Sequence, residues 1–358
     1  MANLSALTTN MTETPPVGHT VDSNNIIGAV AGLLGIIGNG MVCFVMIWYR
    51  SFFKSVTNKL MLHQSVVDLV LSLVMLVTRL YTPWTQFYCR FSRGWLYWSL
   101  AHTSTTSIML IACDRYTAVC HPTKYRKWFS MYRIKFYLIL VWGFPVIWQS
   151  YLMWVHLPAY ENSSCLATWG DNDALKLAFG VATFCWEYMV PLIVMTVTYT
   201  HTILSLRMRV LTRARNAAAT QPAVNTSNKN AHKDPLQTAK VRLTITFMIV
   251  AVLFIICWSP SEITWLLFNF GVIEDGYYSS LWHLGVETPL LCLNTCVNPV
   301  IYCVTYTHFR KHLKLVFCGR CKNEVGDSTY VENTENSSEQ QRSSQRARGK
   351  PLMFQVNT

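Results

Sequence analysis

Charge is scarce in this sequence, and so are the residues that interrupt regular structure. Asp, Glu, Lys and Arg make up 13% of its 358 residues, about half the share found in soluble globular chains. The 16 glycines and 13 prolines are too few for a collagen-like or low-complexity chain. The 12 cysteines include no two CxxC pairs at zinc spacing, which argues against a zinc finger. A surface with so little charge must face something other than water.

Long apolar segments are what the sequence does contain. A helix of about 20 residues crosses a hydrocarbon core that is about 30 Å thick. Seven segments reach this length, and we number them spans one to seven: 26–48, 60–80, 95–119, 134–155, 175–204, 243–268 and 282–306. The sequence therefore predicts an all-α membrane protein, folded as a seven-transmembrane helix bundle.

The regions outside the spans complete a four-part organisation. Residues 1–25 form an extracellular segment, 26–306 the seven-span domain, 307–321 a short amphipathic eighth helix, and 322–358 a disordered tail rich in Ser, Glu, Gln and Asn. In the eighth helix, apolar residues recur at helical spacing opposite basic ones, which is typical of a helix lying on membrane lipid. Cys318 and Cys321 follow it and are candidate palmitoylation sites.

The basic residues predict the orientation. All but four of the 30 Lys and Arg residues lie at Arg115 or in the segments after spans one, three, five and seven; the four are Arg79, Arg90, Arg93 and Lys176. The positive-inside rule then places the N-terminus outside the plasma membrane and the C-terminus in the cytoplasm. Basic residues beside spans serve topology, so we expect no nucleic-acid partner. The first 25 residues lack the pattern of a cleavable signal peptide.

The predicted outer segments carry modification signals. Asn3, Asn10 and Asn162 fit the glycan acceptor pattern. Cys89 and Cys165 are the cysteines that the topology places outside, where a disulfide between them would persist. The alternative is two buried free thiols.

Polar residues inside the spans indicate function, because they are costly in lipid. Asp68 on span two, with Ser104, Asn294 and Asn298 on spans three and seven, supplies one carboxylate and several neutral oxygens. Such a set suits a sodium ion, and a hydrogen-bonded network without an ion is the alternative. Four prolines kink spans and favour a bundle with two states: Pro145, Pro191, Pro260 and Pro299.

The spans carry ordered motifs that resemble those of the rhodopsin-like (class A) G-protein-coupled receptors. The resemblance covers about residues 26–321. It rests on Gly38-Asn39, Asp68, Asp114-Arg115-Tyr116, Trp142, Pro191, Cys257-Trp258-Ser259-Pro260 and Asn298-Pro299-Val300-Ile301-Tyr302. Any one motif is weak, but one signature per span in the family's order is specific.

The resemblance implies roles for these residues. Arg115 would reach the heterotrimeric G protein in the active state, with Asp114 and Tyr116 beside it. Tyr199 and Tyr302 would approach Arg115 on activation. Trp258, with Phe254 one turn below it, would be the toggle beneath the ligand. The sodium pocket would act as an allosteric modulator, and an arrestin and a receptor kinase would act on the tail.

Two departures from the family pattern carry expectations of their own. An acid often restrains the arginine from the start of span six, but Lys240 stands at the matching position. We therefore expect appreciable basal activity. Cys89 precedes Arg115 by 26 residues, one more than is usual, which implies a bulge or a longer entry into span three.

The expected ligand pocket is aromatic and acidic. By family alignment it contains Tyr97, Trp98, His102, Glu187, Tyr188, Glu262, Trp265 and Glu287. The acids favour a peptide with a basic group, while internal pairs around a water-filled vestibule are the alternative. Cys292 stands where retinal binding needs a lysine. Tyr97, or Leu96 or Trp98 if a bulge shifts the count, stands where amine receptors carry an aspartate.

Other functions fit less well. A biogenic amine held by Glu262 remains the alternative ligand. A transporter commonly shows internal repeats, and no segment here repeats another. No nucleophile, base and orienting group share a predicted site, so we expect no enzymatic activity.

Overall fold

A computed structural model of the chain describes residues 23–49, 52, 55–81, 83, 85–159, 164–167, 169, 172–219, 235–273 and 283–317. The described residues up to Tyr306 belong to one compact unit, and the helix that begins at Thr307 belongs to a second. Three groups of predictions concern residues outside the described ranges: the glycan acceptors Asn3, Asn10 and Asn162, the cysteines Cys318 and Cys321, and the tail.

Helices dominate the described residues. The α-helices are α1 Ser23–Trp48, α2 Val56–Leu80, α3 Tyr97–Cys120, α4 Pro122–Trp128, α5 Met131–Trp148, α6 Leu152–Val155, α7 Asp173–Thr183, α8 Val190–Ala219, α9 Pro235–Asn269, α10 Thr288–Thr305 and α11 Thr307–Phe317. Within the described ranges, six helical segments are long and apolar enough to cross a membrane. The remaining span, α3, has 24 residues, but its many polar side chains lower its hydropathy. The predicted helix bundle is confirmed.

Many polar side chains are buried inside this bundle together with apolar ones, while other large apolar side chains lie on its outer surface. Gln64, Ser65 and Asp68 are fully buried in α2, whereas Ile139 and Ile147 in α5 are 67% and 74% exposed. A helix satisfies its own backbone hydrogen bonds, so it can present such an apolar surface to lipid. The buried polar residues are therefore the candidates for functional sites.

A small hairpin, which the sequence analysis did not predict, lies between spans four and five. Strands β1 His156–Ala159 and β2 Ser164–Ala167 pair antiparallel, with Pro158 opposite Cys165. A disulfide joins Cys165 to Cys89, with the two Cα atoms 5.4 Å apart. The predicted disulfide is confirmed, and it ties the hairpin to the start of span three.

Three π-helical segments adjoin α-helices of spans three, five and seven: Tyr88–Leu96, Phe184–Met189 and His283–Glu287. A π-turn closes its hydrogen bond over one more residue than an α-turn does, and such turns often lie at functional sites. The first segment contains Cys89 and confirms the bulge expected at the entry to span three. The other two contain Glu187 and Glu287, two of the predicted pocket acids.

Three predicted prolines lie inside helices, and one of them is supported by a neighbouring helix. Pro145, Pro260 and Pro299 lie inside α5, α9 and α10. A proline leaves the carbonyl four residues earlier without its helical donor. For Pro299 that carbonyl belongs to Thr295, and Asn39 Nδ2 on α1 donates to it at 3.0 Å. Gly38 permits this approach, because a Cβ atom there would lie 3.0 Å from Pro299 Cγ.

Candidate functional site

One histidine and two glutamates meet inside the bundle, on spans three, five and six. His102 Nε2 forms an ion-pair contact with Glu187 Oε2, and Gln149 Nε2 donates to Glu187 Oε1 at 2.7 Å. The nearest ligand atoms of His102, Glu187 and Glu262 all lie within 4.8 Å of one another. We call these three residues the acid–histidine cluster. The structure thus unites three of the predicted pocket residues.

The members of the cluster differ in how many polar atoms have partners. Both oxygens of Glu187 are engaged. Glu262 Oε2 and His102 Nδ1 have no hydrogen-bond partner among the described residues, although Glu262 is only 4% exposed. Two carboxylates share a single imidazole, so the cluster can accept further positive charge. A guanidinium or ammonium group suits it, and so does a transition-metal ion, for which imidazole and carboxylate are ordinary ligands.

Aromatic rings surround the histidine of this cluster. The ring of Trp98 stacks on His102 with centroids 5.9 Å apart, and the ring of Trp258 lies 5.1 Å from His102. Phe254 lies 5.8 Å from Trp258. The cluster therefore contacts the predicted toggle directly, so a ligand that displaces His102 also acts on Trp258.

The other predicted pocket residues take separate positions. Ser259 Oγ donates its hydrogen to the Ile255 carbonyl. Its oxygen therefore accepts from the Tyr188 hydroxyl, at 2.5 Å. Tyr97 packs against a buried group of three residues on α1, α2 and α10. Of the two neighbours Tyr97 and Trp98, it is therefore Trp98 that faces His102. Trp265 stacks on Phe268 at 6.0 Å, and Glu287 is buried beside α10.

A second buried carboxylate, Asp68, lies on α2. Its oxygens accept from Ser104 Oγ at 2.7 Å, from Asn298 Nδ2 at 2.8 Å, and from Gln64 Nε2 at 3.1 Å to each oxygen. These four side chains are at most 1% exposed. Asn294 is also buried on α10, but within the described chain it donates no hydrogen bond to Asp68. Three of the four predicted sodium ligands therefore lie together.

The atoms that face Asp68 show whether this site fits a sodium ion. Carboxylate, hydroxyl and amide oxygens suit a hard cation by their chemistry. Here, however, Asn298 presents its NH2 group to Asp68, and Gln64 Nε2 lies within hydrogen-bonding distance of Asp68 and Ser104. In this arrangement N–H groups fill the positions around the carboxylate, and the side chains do not fit the ion.

The predicted switch arginine is held by the residue before it. Arg115 Nε and Nη2 donate to Asp114 Oδ2 at 2.9 and 2.5 Å. Thr57 Oγ1 on α2 donates to the same oxygen at 2.7 Å and also contacts Arg115 Nη2. Tyr125 on α4 donates to Asp114 Oδ1 at 2.8 Å. This is the restraint that the family resemblance implies for an inactive receptor.

The surroundings of the arginine support that interpretation. Burial and the Asp114 carboxylate raise the pKa of Tyr125 to about 12, so its phenol stays a donor at neutral pH. The hydroxyls of Tyr199 and Tyr302 are buried, and neither has a hydrogen-bond partner in the described ranges. Tyr116 lies beside His121, 3.1 Å from its Nε2. The side chain of Lys240 lies outside the described part, so high basal activity stays a prediction.

Sequence reasoning missed four residues of these sites: Gln64, Gln149, Thr57 and Tyr125. A usable signal existed for both glutamines, because an amide inside an apolar span needs a polar partner. Thr57 and Tyr125 lie at span ends, where polar residues are common, and only the fold places them against Asp114.

Comparison with known proteins adds the last observation. The family model "7 transmembrane receptor (rhodopsin family)" matches residues 38–302. The chain is 24% identical to galanin receptor 2b of Danio rerio, over 87% of this chain and 79% of that one. It is 26% identical to tachykinin-like peptides receptor 86C of Drosophila melanogaster, over 83% of this chain and 58% of that one. It is also 26% identical to a Gq-coupled rhodopsin of Mizuhopecten yessoensis, over 84% of this chain and 61% of that one.

Proposed function

Because the chain belongs to the rhodopsin family of seven-transmembrane receptors, we propose that it binds an extracellular peptide carrying a basic group and then activates a heterotrimeric G protein. Two of its relatives are named as receptors for galanin and for tachykinin-like peptides. The rhodopsin relative does not supply a ligand for this chain, because the thiol of Cys292 cannot form the Schiff base that retinal requires.

The main support for this proposal is a carboxylate oxygen of Glu262 that lacks a hydrogen-bond partner. Its Oε2 atom has no partner among the described residues, although it lies beside the His102–Glu187 pair in a buried site. A buried carboxylate gains most from a hydrogen-bonded cation, and a guanidinium can donate two parallel hydrogen bonds to it. Trp98 and Trp258 add aromatic faces, which also attract cations. An Arg or Lys side chain of a peptide meets all of these requirements.

The orientation of the receptor follows from its charge distribution. The basic residues cluster after spans one, three, five and seven, so the N-terminus lies outside the plasma membrane and Arg115 lies at the cytoplasmic end. The acid–histidine cluster then belongs to the outer half of the bundle. The Cys89–Cys165 disulfide lies on the outer side as well, in an oxidising compartment.

At the cytoplasmic end, activation requires Arg115 to leave Asp114. Its guanidinium keeps its charge and can exchange the Asp114 and Thr57 contacts for contacts with the G protein. The helix α11 carries Arg310, Lys311 and Lys314 and lies on anionic lipid. An arrestin and a receptor kinase complete the proposed partners, acting on Ser and Thr residues of the tail.

A screen of peptides and amines tests the ligand. Cells expressing the receptor are assayed for G-protein dissociation, with Arg115→Ala as the inactive control at equal surface expression. Each active peptide is resynthesised with citrulline for Arg or norleucine for Lys. We expect this replacement to lower potency at the wild type by about tenfold or more, as the loss of a buried charged hydrogen bond does.

The Glu262→Gln receptor identifies the contact. It should show reduced potency for the basic peptide and no further loss for the neutral one. Asp173→Asn, an exposed acid at the start of α7, is the matched control and should behave as wild type. Undiminished potency at Glu262→Gln would remove this acid from the site. A response to amines alone would favour the amine alternative, and a response to Zn²⁺ reversed by EDTA would identify the cluster as a metal site.

A further inference from the structure

Gln64 places an amide nitrogen where a sodium ion would have to bind. Nε2 of Gln64 lies 3.1 Å from each carboxylate oxygen of Asp68 and 2.6 Å from Ser104 Oγ. These are three of the oxygens expected to coordinate the ion. A cation at the same point would have to displace the amide.

The neighbours fix which end of the amide faces Asp68. A carboxylate offers only acceptors, so the oxygen of Gln64 in this position would be repelled. Ser104 donates its one proton to Asp68 Oδ1 at 2.7 Å, and its oxygen can therefore only accept from Gln64. The other amide atom, Gln64 Oε1, has no partner among the described side chains and backbone. The nitrogen of Gln64 therefore faces Asp68 and Ser104.

Gln64 also joins the helices that an ion would join. It lies one turn before Asp68 on α2 and reaches Ser104 on α3, while Asn298 on α10 donates to the same carboxylate. An amide fixed to the chain is present at every salt concentration, whereas a bound ion stabilises a protein only as far as its free concentration exceeds its dissociation constant. The contacts are therefore independent of salt.

We propose that Gln64 substitutes for sodium at Asp68, and that this receptor is insensitive to sodium as a result. The inference concerns the allosteric site and goes beyond the proposed function, since it holds for any ligand. The insensitivity should also be reversible. A smaller side chain at position 64 should free the coordinating oxygens and make the receptor sensitive to sodium.

The purified receptor, without ligand, provides the test. Its apparent melting temperature is measured in NaCl and in choline chloride at equal ionic strength. We expect no difference for the wild type. For Gln64→Ala we expect a melting temperature about 2 °C or more higher in NaCl, which corresponds to stabilisation by a bound ion. The double variant with Asp68→Asn should lose this difference. In membranes, sodium should lower basal nucleotide exchange for Gln64→Ala alone.

Gln149→Ala is the matched control, because it removes another buried glutamine that donates to a carboxylate, Glu187. It should remain insensitive to sodium. A wild-type receptor with a melting temperature that is higher in NaCl by as much as that of Gln64→Ala overturns the proposal. A folded Gln64→Ala receptor without a sodium response overturns it too. If that variant does not fold, Gln64→Ser, which is also small, takes its place in the same measurement.

Discussion

Two buried carboxylates of this receptor have opposite surroundings. Asp68 accepts four hydrogen bonds from three side chains, including the Gln64 amide. Glu262 is almost as buried, yet one of its oxygens has no partner in the described chain. Burial alone therefore does not distinguish them. A carboxylate whose lone pairs are filled by fixed donors holds helices together, whereas one with an open lone pair is available to a group from outside the chain.

The largest effect is expected from removing Asp68, the carboxylate whose two oxygens both accept hydrogen bonds. Asp68→Leu leaves the donors of Gln64, Ser104 and Asn298 without their acceptor. We expect a loss of about 3–5 kcal/mol in stability, the usual cost of breaking a buried charged network. The loss should appear as a large fall in the apparent melting temperature and in surface expression. Asp68→Asn keeps one acceptor and should lose less; an equal loss would contradict the importance of the acceptors.

Asn39 is a neutral counterpart of the Asp68 network. Asn39→Ala removes the side-chain donor to Thr295 O, the carbonyl that Pro299 leaves without a helical donor, and an unsatisfied buried carbonyl costs about 1–3 kcal/mol. The melting temperature should therefore fall, but less than for Asp68→Leu. Asn39→Asp keeps the size of the side chain and loses the donor, so its melting temperature should fall at least as far as that of Asn39→Ala. A stable Asn39→Asp receptor would show that packing, and not the hydrogen bond, joins α1 to α10.

Asp114 lies between the two extremes, because it must release Arg115 in the activation step that we propose. Thr57→Val removes the hydroxyl that contacts both residues. We expect a loss of about 1 kcal/mol from the restrained state, which corresponds to a rise in basal G-protein activation of about fivefold. Nucleotide exchange in membranes without ligand measures this. Thr57→Ser keeps the hydroxyl and should stay at the wild-type level, and an unchanged Thr57→Val receptor would contradict the restraint.

The smallest effect on stability is expected at Glu262, the carboxylate with an oxygen that lacks a partner among the described residues. Glu262→Gln keeps the size of the side chain and removes no hydrogen bond at Oε2, so the ligand-free melting temperature should stay within the change expected for about 0.5 kcal/mol. Glu187→Gln should lower it, because His102 and Gln149 engage both of its oxygens. If both variants lose stability equally, Glu262 is a structural acceptor and the comparison fails.

The fold was predictable further than the sites were. Apolar length predicts the spans, and the Asp114-Arg115-Tyr116 motif identifies span three although its polar residues lower its hydropathy. Alignment placed His102 and Glu187 in one pocket, and it left their pairing as one of several alternatives. The choice between Tyr97 and Trp98 was not predictable, because it depends on the π-helical segment that precedes them. Gln64 was also missed, since its role depends on which way α2 turns toward α3 and α10.

The three π-helical segments have a consequence for how such a receptor changes over evolution. Each wide turn takes up a surplus residue within a span, so an insertion there rotates the side chains on its outer side and leaves the phase of the inner half unchanged. A single inserted residue can therefore change the direction of the side chains at this end of a span. The opposite end of the bundle, which contains Arg115 and Tyr302, keeps its register throughout.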